Sequence, residues 1–413
     1  MKNIKIIVAH PTGNANVRYL ITALLKSHML SGFYTCVALF ENTVLYNILK
    51  AGPLKEFTKR SFSPQLKHYT HTKAFKEIAR IVATKFGISS LIKHETGLFS
   101  VDAVYKDLDK HVSKKLNNQS AVYAYEDGAL DIFLKAKDKN IVCLYDLPIG
   151  YWRSMRYFLE QERVQRPEWA VTLTGFNDSD SKLERKDKEL ELAQHIFVAS
   201  SFTLKTLEMF PGSLPKVSVI PYGFPDVVKN RIYNDVSRRK IKLLFVGGLS
   251  QRKGIANVFE AADFLSEYVE LTVVGKKAAE DCKPLNEGLK RHNWIPALPH
   301  DEVLNTMREH DILVFPSLFE GYGLVIAEAM SQGTPVISTD RTCAADMIKD
   351  NVNGWIVDVG NTQSLIDKIK DIIEKPCIIE TMGRAAMRTA QQRPSTMYGD
   401  EIVNEIKAIL NSK

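Results

Sequence analysis

The chain has 413 residues, of which 45% are hydrophobic and 25% charged, and its net charge is +7. That length accommodates two or three domains, the composition is that of a globular protein rather than a disordered or fibrous one, and no apolar run approaches the roughly 18 residues that cross a bilayer as a helix. Five scattered cysteines (Cys36, Cys143, Cys282, Cys343 and Cys377) form no C-x-x-C pair, which argues against a zinc site or a disulfide framework and for a reducing, cytoplasmic compartment.

The first residues run directly into the strand-like Ile4–Ala9, leaving no room for a signal peptide. His10-Pro11-Thr12-Gly13-Asn14 ends that strand, and Gly13 and Asn14 are expected at the carboxyl edge of a sheet. A G-x-G-x-x-G fingerprint is absent, so the segment is no dinucleotide site. Further strands are predicted at Cys36–Phe40, Ala121–Tyr125, Ile141–Tyr145, His195–Ala199 and Lys216–Pro221. Glu126 and Asp146 follow two of them and are candidates for an acceptor site. Tyr151-Trp152-Arg153 either lines that site, with Arg153 as the polar contact, or simply packs. Asp178-Ser179-Asp180 reads as a helix start.

Residues 1–100 contain 14 Lys and Arg against 4 Asp and Glu, while the rest of the chain is slightly acidic. A basic face at one end suits an anionic partner, or is plain solvated surface. Between Leu54 and Lys93 the cations Lys55, Lys59, Arg60, Lys67, Lys73, Lys76, Arg80, Lys85 and Lys93 alternate with Phe57, Phe62, Leu66, Tyr69, Phe75 and Phe86. No recognised nucleic-acid motif accompanies them, and peripheral attachment to an anionic membrane is the expectation. The stretch 74–83 has helical apolar spacing, so its apolar side is expected to pack on the sheet, which leaves the aromatic residues before it as the membrane-facing candidates.

Val219–Pro225 closes a strand in a Pro/Gly-rich turn and is followed by polar, basic residues, so a first domain is placed at 1–225 and a linker at 226–240. A second domain follows at 241–390, with strands at Lys242–Val246, Glu270–Val274, Ile312–Phe315 and Pro335–Ser338, then a terminal helix at 391–413, expected to return to the first domain. Short apolar strands separated by helices give an α/β fold of two doubly wound, Rossmann-like domains, whose ligands sit beyond the strand ends in the cleft between them.

Two strand–loop–helix units carry the chemistry. In one, Leu313-Val314-Phe315-Pro316-Ser317 leads through Glu320-Gly321-Tyr322-Gly323 into a helix from Leu324 that carries Glu328. The glycines permit close backbone approach, the helix N-terminus suits an anion, and two carboxylates at different depths suit paired hydroxyls of a sugar or ribose. In the other, Val246-Gly247-Gly248-Leu249 leads through Arg252-Lys253-Gly254 into a helix from Ile255. Two cations at a helix N-terminus oppose its dipole, an arrangement that becomes favourable when a diphosphate lies between them.

With Glu320-x7-Glu328, the Arg252-Lys253-Gly254 turn and Val246-Gly247-Gly248-Leu249, the sequence resembles the retaining glycosyltransferases of family four (group 1), which have the GT-B fold. The resemblance runs over about 240–359, including Asn353-Gly354-Trp355-Ile356-Val357, and touches the first half at Val198-Ala199-Ser200-Ser201 and Ile220-Pro221-Tyr222-Gly223. It implies a nucleotide-sugar donor, no cofactor and no metal. Arg252 and Lys253 would bind the diphosphate and stabilise the departing nucleotide, Glu328 would hold the ribose, and Glu320 would contact the transferred sugar. Gly321, Tyr322, Gly323 and Leu324 would position that sugar, with Gly248 and Gly13 completing the donor site and Asn14, Glu126, Asp146 and Arg153 on the acceptor side. The chain departs from the family at Gly248, where an arginine is common, and at Tyr145-Asp146, where a histidine is common. Retention would follow from same-face attack in which the leaving phosphate takes the acceptor's proton. The alternatives are a nucleotide-sugar epimerase and a non-catalytic nucleotide-sugar-binding subunit on the same fold.

Overall fold

The structure is a computed structural model that describes residues 4–43, 46–47 and 55–411. The side chains of Lys55 and Phe57, named above in the basic run, lie outside the described residues, as does Leu54.

The first sheet uses β1 (Ile6–Ala9), β2 (Leu30–Thr35), β5 (Thr70–Thr72), β6 (Ala121–Tyr125), β7 (Val142–Leu147), β8 (His195–Val198) and β9 (Val217–Val219). They run parallel in the order β5-β2-β1-β6-β7-β8-β9. A small parallel pair, β3 (Leu39–Phe40) and β4 (Ser61–Phe62), stands apart. The second sheet comprises β10 (Ile241–Val246), β11 (Val269–Val274), β12 (Asn293–Ile295), β13 (Ile312–Phe315), β14 (Val336–Ser338) and β15 (Trp355–Ile356), parallel in the order β12-β11-β10-β13-β14-β15. The central strands β1, β6, β7 and β13 are buried on both faces, which is why they read as continuous apolar runs.

The expectation of a strand at Cys36–Phe40 needs correction. The sheet strand is β2, six residues earlier, and only Leu39–Phe40 of the expected span is strand, in the separate pair. Ser31, Gly32 and Thr35 interrupt the apolar pattern of β2, whereas Cys36–Phe40 is apolar without pairing to the sheet.

The chain passes between the domains at Phe224 and again at Pro394, and the two passages are joined. The Phe224 N–H donates to the Arg393 carbonyl at 2.9 Å, and the Ser395 N–H donates to the Phe224 carbonyl at 3.0 Å. A side chain on Gly223 would run into the Ser395 backbone. Beyond the second passage, the helix Thr396–Asn411 packs on the helix Ala15–Lys26 of the first domain. A further seam joins the domains through the helix Trp152–Gln165 and the turn after it. Glu162 accepts from Gln251 Nε2 at 2.6 Å, Arg166 pairs with Glu260, and the Thr172 carbonyl accepts from Ser250 Oγ at 2.6 Å. Met155, Leu159 and Phe202 of the first domain share a small apolar core with Leu318 and Phe319 of the second. Among the described residues, no helix is long and apolar enough to cross a membrane.

Candidate active site

The two glycine-containing loops of the second domain meet at the carboxyl ends of β10 and β13. Leu318 N–H donates to the Arg252 carbonyl at 2.9 Å, and Ser317 Oγ donates to the same oxygen at 3.1 Å. This fit requires Gly254, which has φ 73° and a missing side chain that would collide with the Pro316 carbonyl. The stitching brings three charges together. Arg252 Nη1 lies 3.2 Å and Lys253 Nζ 3.3 Å from the same Glu320 oxygen, Oε2. Arg252 Nη1 also donates to the Phe319 carbonyl at 2.7 Å. Burial pushes the Glu320 carboxyl up, but Arg252 and Lys253 outweigh it and hold the group below the usual glutamate range. The cluster is one carboxylate under two cations, and its net positive charge is available to an anion.

Around the cluster there is room. A side chain added at Gly248 would meet nothing within 4 Å, and Gly248 is exposed. The helix Leu324–Ser331 begins from Gly323, whose φ of 88° is left-handed, and no side chain caps its first turn. Ile326 N–H donates to the Gly323 carbonyl at 2.9 Å, and no side chain competes with a ligand for the amides before it. Leu324 is exposed at this end. Glu328, further along the helix, is partly buried with its Oε1 3.7 Å from His300 Nδ1. Burial raises the Glu328 carboxyl, and His300 works against that rise.

The other residues singled out from the sequence have more varied surroundings. Gly321 is buried beneath the first domain: its carbonyl accepts from Ser200 Oγ at 2.7 Å and Thr203 Oγ1 at 2.8 Å, and a side chain there would strike the Pro148 carbonyl. Tyr322 is buried too, donating its hydroxyl to the Tyr222 carbonyl at 2.6 Å. Gly13 has φ 56° and lies under the Phe62 ring. Its N–H and that of Thr12 donate to His10 Nδ1, and burial together with Arg60 lowers the His10 pKa to about 3, leaving the ring neutral.

The acceptor-side candidates all have partners in the first domain or the terminal helix. Asn14 caps the helix Ala15–Lys26, its Oδ1 accepting from the Val17 N–H at 3.0 Å. Glu126 pairs with Lys186 at 3.1 Å; burial raises its carboxyl against the pull of that ammonium. Asp146 accepts from Tyr123 at 2.6 Å and from Tyr398 of the terminal helix at 3.2 Å, and burial raises it to about 7 despite these two donors. Arg153, Tyr151 and Trp152 all converge on Asp187, with the Arg153 side chain 40% exposed. Ser179 caps the helix Asp180–Leu192, as its position suggests.

Sequence reading missed the Ser200 and Thr203 hydroxyls that hold the Gly321 loop, and His300 beside Glu328. Ser200 carried one signal: a serine before a short helix is a cap, and its Oγ also accepts from the Thr203 N–H. His300 carried none, because its partner lies in another element.

Residues 215–391 match the model of the family described as glycosyl transferases group 1. The match lies in the second half of the chain and contains the second sheet. Among curated relatives, it is 28% identical over 172 residues to the amylovoran biosynthesis glycosyltransferase AmsK of Erwinia amylovora, covering 36% of this chain and 40% of that protein. It is 23% identical over 215 residues to the capsular polysaccharide biosynthesis glycosyltransferase CapM of Staphylococcus aureus, covering 48% and 56%. The chain thus spans about half the length of the curated relatives it matches. Similarity of fold extends over the whole chain. Sucrose-phosphate synthase from Thermosynechococcus elongatus superposes with a TM-score of 0.67 at 16% identity, covering 99% of this chain and all of the other. Anabaena HepE in complex with UDP and glucose gives 0.64 at 15% identity, covering 98% and 100%. The chain has the GT-B fold of these neighbours, and Arg252, Lys253, Glu320 and Glu328 all lie inside the span that matches the group 1 model.

Proposed function

We propose that the protein is a retaining glycosyltransferase that moves a sugar from a nucleotide-sugar donor to a glycan or lipid-linked acceptor without a metal ion. The observation that carries this reading is the convergence of Arg252 and Lys253 on Glu320 beside the uncapped helix at Gly323. Fixed cations and open amides suit the charge that develops on a leaving nucleoside diphosphate. HepE, a structural neighbour, has been solved with UDP and glucose and with UDP-glucose, and AmsK and CapM are named for polysaccharide biosynthesis; both facts favour this reading.

In the proposed step, the bond between the anomeric carbon and the diphosphate oxygen breaks with its electrons going to the phosphate. The acceptor oxygen bonds to the same face of the carbon, and its proton passes to the departing phosphate. Arg252 and Lys253 stabilise the charge on that phosphate, the role a metal plays elsewhere. Glu320, held ionised by both cations, faces the developing positive charge of the sugar, and Glu328 accepts from ribose hydroxyls.

The test is turnover with a panel of UDP-, GDP- and ADP-sugars, followed by nucleotide release in excess EDTA. Release from at least one donor, undiminished by chelator, is expected. Release that requires an added divalent ion contradicts the metal-free mechanism, and release from none contradicts the enzyme reading.

A further inference from the structure

The helix Phe75–Lys85 is amphipathic in the reverse sense. Its inward face carries a charge beside the small Ala83: Glu77, like Ala83, is 2% exposed and is held by Arg60 at 2.5 Å and by Arg80 at 2.7 Å. Lys76 reaches the Ala103 carbonyl from the same side. Its outward face is apolar. Phe75, Ile78, Val82 and Phe86 follow one another at spacings of three and four residues, a single helical stripe, and Phe75 and Phe86 are 73% and 71% exposed. Ile88, Leu98 and Val101, just beyond, are exposed as well, and Phe75 meets Phe99 edge-on at 6.0 Å. A helix on a globular protein normally turns such a stripe inward, so this one lacks the partner its composition calls for.

We propose that this face docks on an anionic lipid bilayer. Residues 58–100 hold eight Lys and Arg against two Asp and Glu, and Glu77 is already neutralised internally. Lys59, Lys67, Lys85 and Lys93 are exposed. Apolar rings that enter the acyl boundary beside cations that meet anionic headgroups are the two components of interfacial binding. A second copy of the chain is a poorer occupant, because a face-to-face dimer would press two surfaces of the same sign together. The helix begins three residues after β5, at the carboxyl edge of the first sheet. Docking there holds the mouth of the cleft at the membrane, where a lipid-borne acceptor is presented.

The test uses the full chain with vesicles of phosphatidylcholine alone and of an equal mixture with phosphatidylglycerol, at low and high salt. Co-sedimentation is expected on the mixed vesicles, weakened by salt. Phe75→Ser with Phe86→Ser should weaken it by about tenfold or more, because two buried rings are lost. Thermal unfolding and nucleoside diphosphate binding should be unchanged, since both rings are exposed in the free protein and lie outside the donor cluster. Equal binding to both vesicles, no binding to either, or full binding by the double variant overturns the proposal. So does a wild-type dimer in sedimentation equilibrium that the variant abolishes without any vesicle binding. None of these outcomes bears on sugar transfer.

Discussion

Glu320 and Glu328 share one loop–helix unit but have opposite electrostatics. Glu320 is held below the usual glutamate range by two cations, whereas burial raises Glu328 with only His300 opposing. Their loss should therefore be felt at different steps. Glu320→Ala should lower kcat by about 10²–10³, the usual effect of removing one preorganised charge, with nucleotide affinity little altered. Glu328→Ala should raise the Kd for nucleoside diphosphate while sparing kcat more; calorimetry and steady-state kinetics with an opposite ranking would refute the assignment. Asp146 gives a pH prediction. Its native pKa is about 7, against about 3.9 in an unfolded chain. Between those values the native state holds a proton that the unfolded chain has released, so this group makes stability fall as pH rises, by up to about 1.4 kcal/mol per pH unit. Asp146→Asn should flatten that component of the denaturant midpoint between pH 4 and 7, and an unchanged pH slope would contradict the buried placement. Glu320, Arg252 and Lys253 are legible in the sequence because glycines fix the turns that carry them. Asn14 and Asp146 are not, because strand pleat and cap geometry decide whether a side chain at a strand end points into a cleft or away from it.

The Gly321 loop is held across the cleft by hydroxyls at the start of the helix Ser201–Thr206. Ser200 Oγ and Thr203 Oγ1 both donate to one carbonyl, so either one alone can satisfy it. Ser200→Ala with Thr203→Val should leave that buried oxygen unpaired and destabilise the closed loop by about 1–3 kcal/mol, with an added cost for the lost cap. Faster hydrogen exchange at residues 318–324 would show it, and unchanged exchange would contradict the interlock. At this scale β6, β8, β13 and the helix from Leu324 are readable from apolar runs and glycine punctuation. β2, broken by Gly32, is not. The helix Phe75–Lys85 shows a deeper limit: periodicity reveals that a helix has an apolar face, but which side meets the protein is fixed by tertiary partners such as Arg60.

At the level of the whole molecule, contacts between the two domains among the described residues include the paired passages at Phe224 and Pro394, the seam from Glu162 to Gln251, the Gly321 loop and the Ser201 N–H on Asp346. The Tyr322 ring meets Tyr222 at a tilt and Tyr222 meets Tyr398 edge-on, with centroids 4.7 and 5.0 Å apart, linking the donor loop to the terminal helix and, through Tyr398, to Asp146. The site thus lies where both sheets present their carboxyl edges, and its charge comes from the second domain. The central claim is that Arg252 and Lys253 recognise the diphosphate. Calorimetry of a nucleoside diphosphate and the matching monophosphate, in chelator, tests it most directly. The wild type should prefer the diphosphate by about tenfold or more, the effect of one to two charge-assisted contacts. The Arg252→Ala, Lys253→Ala double variant should bind the two nucleotides alike while remaining folded by circular dichroism. A double variant that retains the preference, or a wild type that loses it in chelator, would contradict the account.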